Sequence, residues 1–81
     1  ALYLRNEDIL PLAEIFLQKF KAEYGKPQLN GFSEEAIQKL LNYVYPGNVR
    51  ELRQMVERAV VAADPAEQFI KADLVVPYSL Q

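Results

Sequence analysis

Arg50 has the strongest claim to chemistry in this sequence, because of where it stands. Tyr45-Pro46-Gly47 makes a tight corner, and Asn48 and Glu51 stand three apart in the pattern of a capping box, with Asn in place of the usual Ser or Thr. A helix is therefore predicted to begin at Asn48, which puts Arg50 at its second helical position. A cation beside the positive end of a helix macrodipole typically costs about 0.3–1 kcal/mol, so the placement runs against local helix physics. A helix start with free N–H groups already suits an anion, and an arginine beside it adds a planar charged fork that fits phosphate oxygens. A phosphate-sensing residue would look like this. On spacing alone the plainer account is stronger: Arg50 as a solvated residue, or paired with Glu51, Glu57 or a carboxylate of an earlier helix.

Composition removes most other chemistries. The 81 residues contain no Cys and no His, which excludes disulfides, thiol catalysis, imidazole bases and the usual zinc ligand sets, and no metal site is predicted. Nine Lys plus Arg against eleven Asp plus Glu leave a net charge of −2, so neither nucleic acid nor anionic lipid is attracted overall. The longest apolar runs, such as Ala59 to Ala63, are far too short to span a bilayer, no signal-peptide pattern is present, and a reducing cytoplasm is the simplest home. The chain starts at Ala1 without an initiator Met and reads as a piece of a longer protein.

The elements that would position Arg50 follow from periodicity. Ile9, Leu12, Ala13, Phe16, Phe20 and Tyr24 recur every three or four residues, which predicts a helix over about 9–24. Asn6 or Asp8 could cap it; Pro11 favours Asp8, since a proline in the first turn has no intrahelical bond to lose. Gly25 is expected to end it. Lys26 to Phe32, with Pro27, Asn30 and Gly31, reads as a loop. Ser33 then looks like the N-cap of a second helix over about 33–44, with Glu34 and Glu35 at its positive end and Ile37, Leu40, Leu41 and Val44 as its buried stripe. The third, over about 48–63, buries Val49, Leu52, Val56, Ala59, Val60 and Ala63 and closes at Asp64-Pro65. Residues 64–81 are apolar enough to pack on the bundle, with a short helical turn near Ala72 and a sheet-like alternation conceivable only in the last ten residues. The expected fold is all-α, a small three- to four-helix bundle.

Larger motifs carry a family resemblance. Tyr45-Pro46-Gly47-Asn48-Val49-Arg50-Glu51-Leu52, followed by Glu57-Arg58-Ala59-Val60, resembles the WPGNVREL…ERAV signature of bacterial enhancer-binding proteins, the sigma-54-dependent transcriptional activators of the AAA+ ATPase type. Leu2 to Ile9, with Arg5, Glu7, Asp8 and Ile9, is similar to that family's LRxRxEDI entry to the helical lid, and Phe32-Ser33-Glu34-Glu35-Ala36 to its FSxEA helix start. Tyr45 stands where the family usually has Trp and keeps an aromatic wedge at the corner; Tyr3 replaces a usual Arg of the linker.

The resemblance implies a lid subdomain: a linker over 1–8 from a nucleotide-binding core, the lid over 9–63, and a C-terminal segment over 64–81 leading towards a DNA-binding domain. It assigns Arg50 as the sensor II residue, reaching the terminal phosphate of ATP held with Mg by the core of the same subunit. Gly47 supplies backbone freedom at the corner and Asn48 a cap, both in support of Arg50; Glu51 caps first and orients Arg50 second. Ile9 enters the lid where related ATPases bring apolar groups near the adenine, and an ordinary core role suits it as well. Arg53 and Arg58 fall on the exposed side of the third helix, as a solvated face or towards a neighbouring subunit. The sequence contains no G-x-x-x-x-G-K-S/T loop, so it is not predicted to be an enzyme by itself. The partners implied are the adjoining core, neighbouring subunits of a hexamer, sigma-54 RNA polymerase, and DNA through a separate domain. Two other readings stand beside this one: a helix-turn-helix DNA-binding module, against which the interleaved Glu51 and Glu57 argue, and a helical protein-interaction bundle.

Overall fold

The computed structural model describes residues 4–43 and 49–76. Three helices, α1 (Asn6–Glu23), α2 (Glu34–Asn42) and α3 (Val49–Ala62), form an all-α bundle, as the periodicity predicts. They enclose one core in which Leu17, Phe20, Leu40, Leu52, Val60 and Ile70 are almost completely shielded from water. Each such side chain contributes on the order of 1.5–3 kcal/mol on burial, so the bundle rests on these contacts more than on helix propensity.

α1 begins earlier than predicted. Arg5, not Asp8, is the cap residue, and it provides no side-chain cap; its carbonyl instead accepts the Asp8 N–H at 2.8 Å. Residues 6–8, expected in the linker, are helical. Pro11 consequently lies in the second turn and forfeits the bond its N–H would have given to the Glu7 carbonyl. Both residues are exposed, so water can serve that carbonyl. The cost is also offset by Glu7 and Asp8 in the first turn, where carboxylates complement the macrodipole.

The end of α1 is a Schellman turn. Gly25 adopts φ +66°, and the Lys26 N–H bonds the Lys21 carbonyl at 2.8 Å. α2 starts as predicted, with Ser33 accepting the Ala36 N–H at 3.1 Å and Glu34 and Glu35 in the first turn. It ends at Asn42, two residues short of the expected limit. Among the described helical residues, Leu17 of α1, Ala36 of α2 and Met55 of α3 are buried outside the predicted stripes, while Tyr24 is 41% exposed instead of buried.

One part of the architecture has no counterpart in the sequence reading. Gly31–Phe32 (β1) pairs in parallel with Phe69–Ile70 (β2), within a stretch read as loop on one side and outside the last ten residues on the other. Flanking bonds from Asn30 N–H to the Gln68 carbonyl at 2.7 Å and from Ser33 N–H to the Ile70 carbonyl at 2.9 Å extend the pairing. The ladder pulls the C-terminal segment across the start of α2. A 3-10 turn over Ala72–Leu74 follows, near the expected helical turn, and is fastened to α2 by Lys39 Nζ on the Ala72 carbonyl at 2.9 Å.

Candidate nucleotide-sensing end of the third helix

α3 is anchored from behind. Leu52, Met55, Val56, Ala59 and Val60 bury one face, and α1 is the element it packs against most extensively. Its first turn holds Val49, half-buried, then Arg50, exposed, then Glu51, half-buried. The apolar stripe thus fixes the helix while leaving the Arg50 side chain facing outward at the positive end. Neither Arg50 nor Glu51 is without an interaction partner within the chain. Gly47 and Asn48, the predicted corner and cap, lie outside the described residues, as does Tyr45.

Ile9 is 3% exposed and belongs to the core of the bundle, with half-buried Leu4 and Leu12 packed against the same cluster. Its place is therefore first a packing position. Arg58 is exposed on α3, as expected. Arg53 is exposed too, yet its guanidinium lies 5.9 Å from the centre of the Phe20 ring, a cation–π contact that orients it along α1. Among the described residues no group of three or more His, Cys, Asp or Glu could hold a metal ion, and no helix is long and apolar enough to cross a membrane.

A polar seam that the periodicity does not predict joins the end of α1 and the turn after it to α3. The Tyr24 hydroxyl donates to Glu57 Oε2 at 2.5 Å. Lys26 Nζ reaches the Val61 carbonyl at 3.2 Å and also binds the Ala63 carbonyl, serving the otherwise unsatisfied end of α3. Glu57 raises the pKa of Tyr24 above its ordinary value, mainly because the hydrogen bond favours the protonated phenol. A shallow groove of about 330 Å³ runs beside this seam, lined by Tyr24, Glu57, Arg58, Val61 and Ala62.

The sequence model for the AAA+ ATPase lid domain matches residues 4–81. This chain belongs to the AAA+ ATPase lid domain family. Among curated relatives, the lid is 57% identical over 61 residues to the alginate biosynthesis transcriptional regulatory protein AlgB of Pseudomonas syringae pv. tomato, covering 75% of this chain and 13% of that protein. It is 54% identical over 57 residues to AlgB of Pseudomonas aeruginosa, covering 70% of this chain and 12% of the relative. To the transcriptional regulatory protein ZraR of Klebsiella oxytoca it is 51% identical over 57 residues, 70% of this chain and 13% of the other. The lid thus spans about an eighth of the length of the curated relatives it matches. The resemblance drawn from the Tyr45-to-Leu52 and Phe32-to-Ala36 motifs agrees with these matches in both the lid fold and the class of regulator.

Proposed function

We propose that this chain is the nucleotide-sensing lid of an ATP-hydrolysing transcriptional activator, and that Arg50 is its phosphate sensor. One observation carries the reading: in a AAA+ lid, Arg50 stands exposed in the first turn of α3 while the residues behind it are locked into the core. A guanidinium at the positive end of a helix suits a terminal phosphate, and the helix behind it makes lid position respond to that contact. ATP and Mg would be held mainly by an adjoining AAA+ core in the same chain, since the described residues of this domain offer a cation for phosphate and no carboxylate set for the metal. Gly47 and Asn48 would shape the corner that presents Arg50, and Glu51 would orient it. Any adenine contact near Ile9 would be made at the α1 entry, where Leu4 and Leu12 are only half-buried.

The similarity to AlgB and ZraR supports a role in transcription regulation, and the family signature supports action on sigma-54 RNA polymerase. In this reading a hexameric cytoplasmic ring couples hydrolysis to polymerase remodelling, while a separate domain binds DNA. The lid alone does not hydrolyse ATP. The helix-turn-helix alternative is weakened because Arg53 is drawn over the Phe20 ring and Glu57 interrupts the basic row of α3.

The test is ATP turnover by the full activator, wild type against Arg50→Ala, with assembly state measured for both. Hydrogen bonds to charged groups are worth about 1.5–3 kcal/mol, so a drop of roughly tenfold or more with assembly intact is expected. Unchanged turnover would overturn the assignment and leave a helical bundle whose partner is a protein.

A further inference from the structure

The seam between α1 and α3 has a regular order. Phe20 faces Arg53 at 5.9 Å, Tyr24 hydrogen-bonds Glu57 at 2.5 Å, and Lys26 takes the Val61 carbonyl at 3.2 Å. On α3 the three positions are four residues apart, a single row along one side of the helix. The partners advance in the same direction, from Phe20 in the last turn of α1 through its C-cap Tyr24 to Lys26 just beyond, so the seam ties the end of α1 along one side of α3. Arg50 lies one turn before the first contact of this row. Whatever angle the seam enforces between the helices is therefore expressed at Arg50.

We propose that Tyr24 and Glu57 are positioning residues for Arg50: their hydrogen bond, flanked by the Arg53 and Lys26 contacts, holds α3 at the angle to α1 from which Arg50 meets its phosphate. The inference rests on the phosphate-sensing reading of Arg50. Three features single out this contact within the seam. It links two side chains, so one substitution removes it without touching the backbone. Tyr24 is 41% exposed and Glu57 only half-buried, so the bond does not hold up the core. Both side chains line the open groove beside it, so the bond sits at the surface of the seam and not within tight packing. The Lys26 contacts, by contrast, satisfy backbone carbonyls at the end of α3, and their loss would be felt first as helix fraying.

The experiment uses the full activator and measures steady-state ATP hydrolysis, with kcat and KM separated and thermal stability recorded for each variant. Tyr24→Phe keeps the ring and removes the donor; kcat is expected to fall about two- to tenfold, the equivalent of one net hydrogen bond, while the KM for ATP is unchanged because the core binds the nucleotide. Glu57→Gln retains an acceptor and is expected to hold near wild-type turnover. The decisive arm repeats Tyr24→Phe in an Arg50→Ala background, or Arg50→Lys should turnover of the former fall below detection. A positioning role predicts that the Tyr24→Phe loss disappears there. The same fractional loss in both backgrounds would overturn the proposal, since it would mark a general structural effect. Normal kcat in Tyr24→Phe alongside an impaired Arg50→Ala overturns the positioning role and leaves phosphate sensing intact. Normal turnover in Arg50→Ala overturns phosphate sensing itself.

Discussion

The backbone N–H of Ser33 donates to the carbonyl of Ile70 at 2.9 Å, joining the first residue before α2 to a segment far along the chain. The same Ser33 turns its side chain the other way to cap α2 through Ala36. One residue thus fixes both where the helix starts and where the C-terminal segment lies, and the two jobs can be separated by substitution.

Ser33→Ala removes the cap and leaves the backbone bond to Ile70. Loss of a Ser N-cap costs about 0.5–2 kcal/mol, so the urea midpoint is expected to fall by that equivalent with an unchanged slope. Ser33→Asp should retain most of the stability, because a carboxylate also caps and complements the helix dipole. An unchanged midpoint in Ser33→Ala would show that the hydroxyl is not a stabilising group.

Ile70→Ala tests the other side of that junction. Ile70 is 0% exposed, and truncating a buried isoleucine typically costs about 2–5 kcal/mol, a large share of the stability of a domain this small. Chemical denaturation should show a severely destabilised or unfolded chain. A change below 1 kcal/mol would mean that the strand pair contributes little and that the three helices stand without it.

Gly25→Ala is expected to destabilise through the backbone alone. The residue sits at φ +66°, and a Cβ built there meets no atom within 4 Å, so no clash competes with the conformational cost. Left-handed backbone costs an L-residue roughly 1–2 kcal/mol relative to glycine, and Gly25→Asn should lose less because asparagine tolerates that region. Thermal melts of the three proteins should rank glycine, asparagine, alanine.

Tyr24 predicts an alkaline signature. Its pKa is raised above the ordinary 10.0 by the Glu57 hydrogen bond, so the folded chain keeps the phenolic proton at a pH where the unfolded chain has lost it. The stabilisation is therefore complete below pH 10 and declines as pH rises through the folded value. Measured as the difference in stability between wild type and Tyr24→Phe, it should be constant from neutral pH to about 9 and shrink above about 10, with other titrations common to both proteins. A difference that is flat across this range would place the Tyr24 hydroxyl outside the hydrogen bond.

Local features of this lid could be read from the sequence. The Ser33 cap, the Gly25 stop and the three apolar periods each depend on residues within about one or two turns of one another, and the structure repeats them. Arg50's place in the first turn of α3 follows from the same short-range logic, given where that helix begins. The start of α1 was harder. Pro11 argued for a cap at Asp8, yet first-turn acids and the apolar packing of α1 carry the helix back to Asn6 and leave the proline in its second turn.

The tertiary structure decided what depends on distant partners. Two strands of two residues each are too short to show alternation, so the pairing of Gly31–Phe32 with Phe69–Ile70 exists only because packing brings those backbones together. Periodicity likewise assigned Tyr24 to the core, whereas the end of α1 sits at the edge of α3 and turns the hydroxyl towards Glu57. Helical spacing tells which side chains share a face; only the neighbouring helix tells whether that face meets oil, water or a carboxylate. The sequence therefore determined the helices and the position of Arg50 within one, while the fold determined how that helix is held.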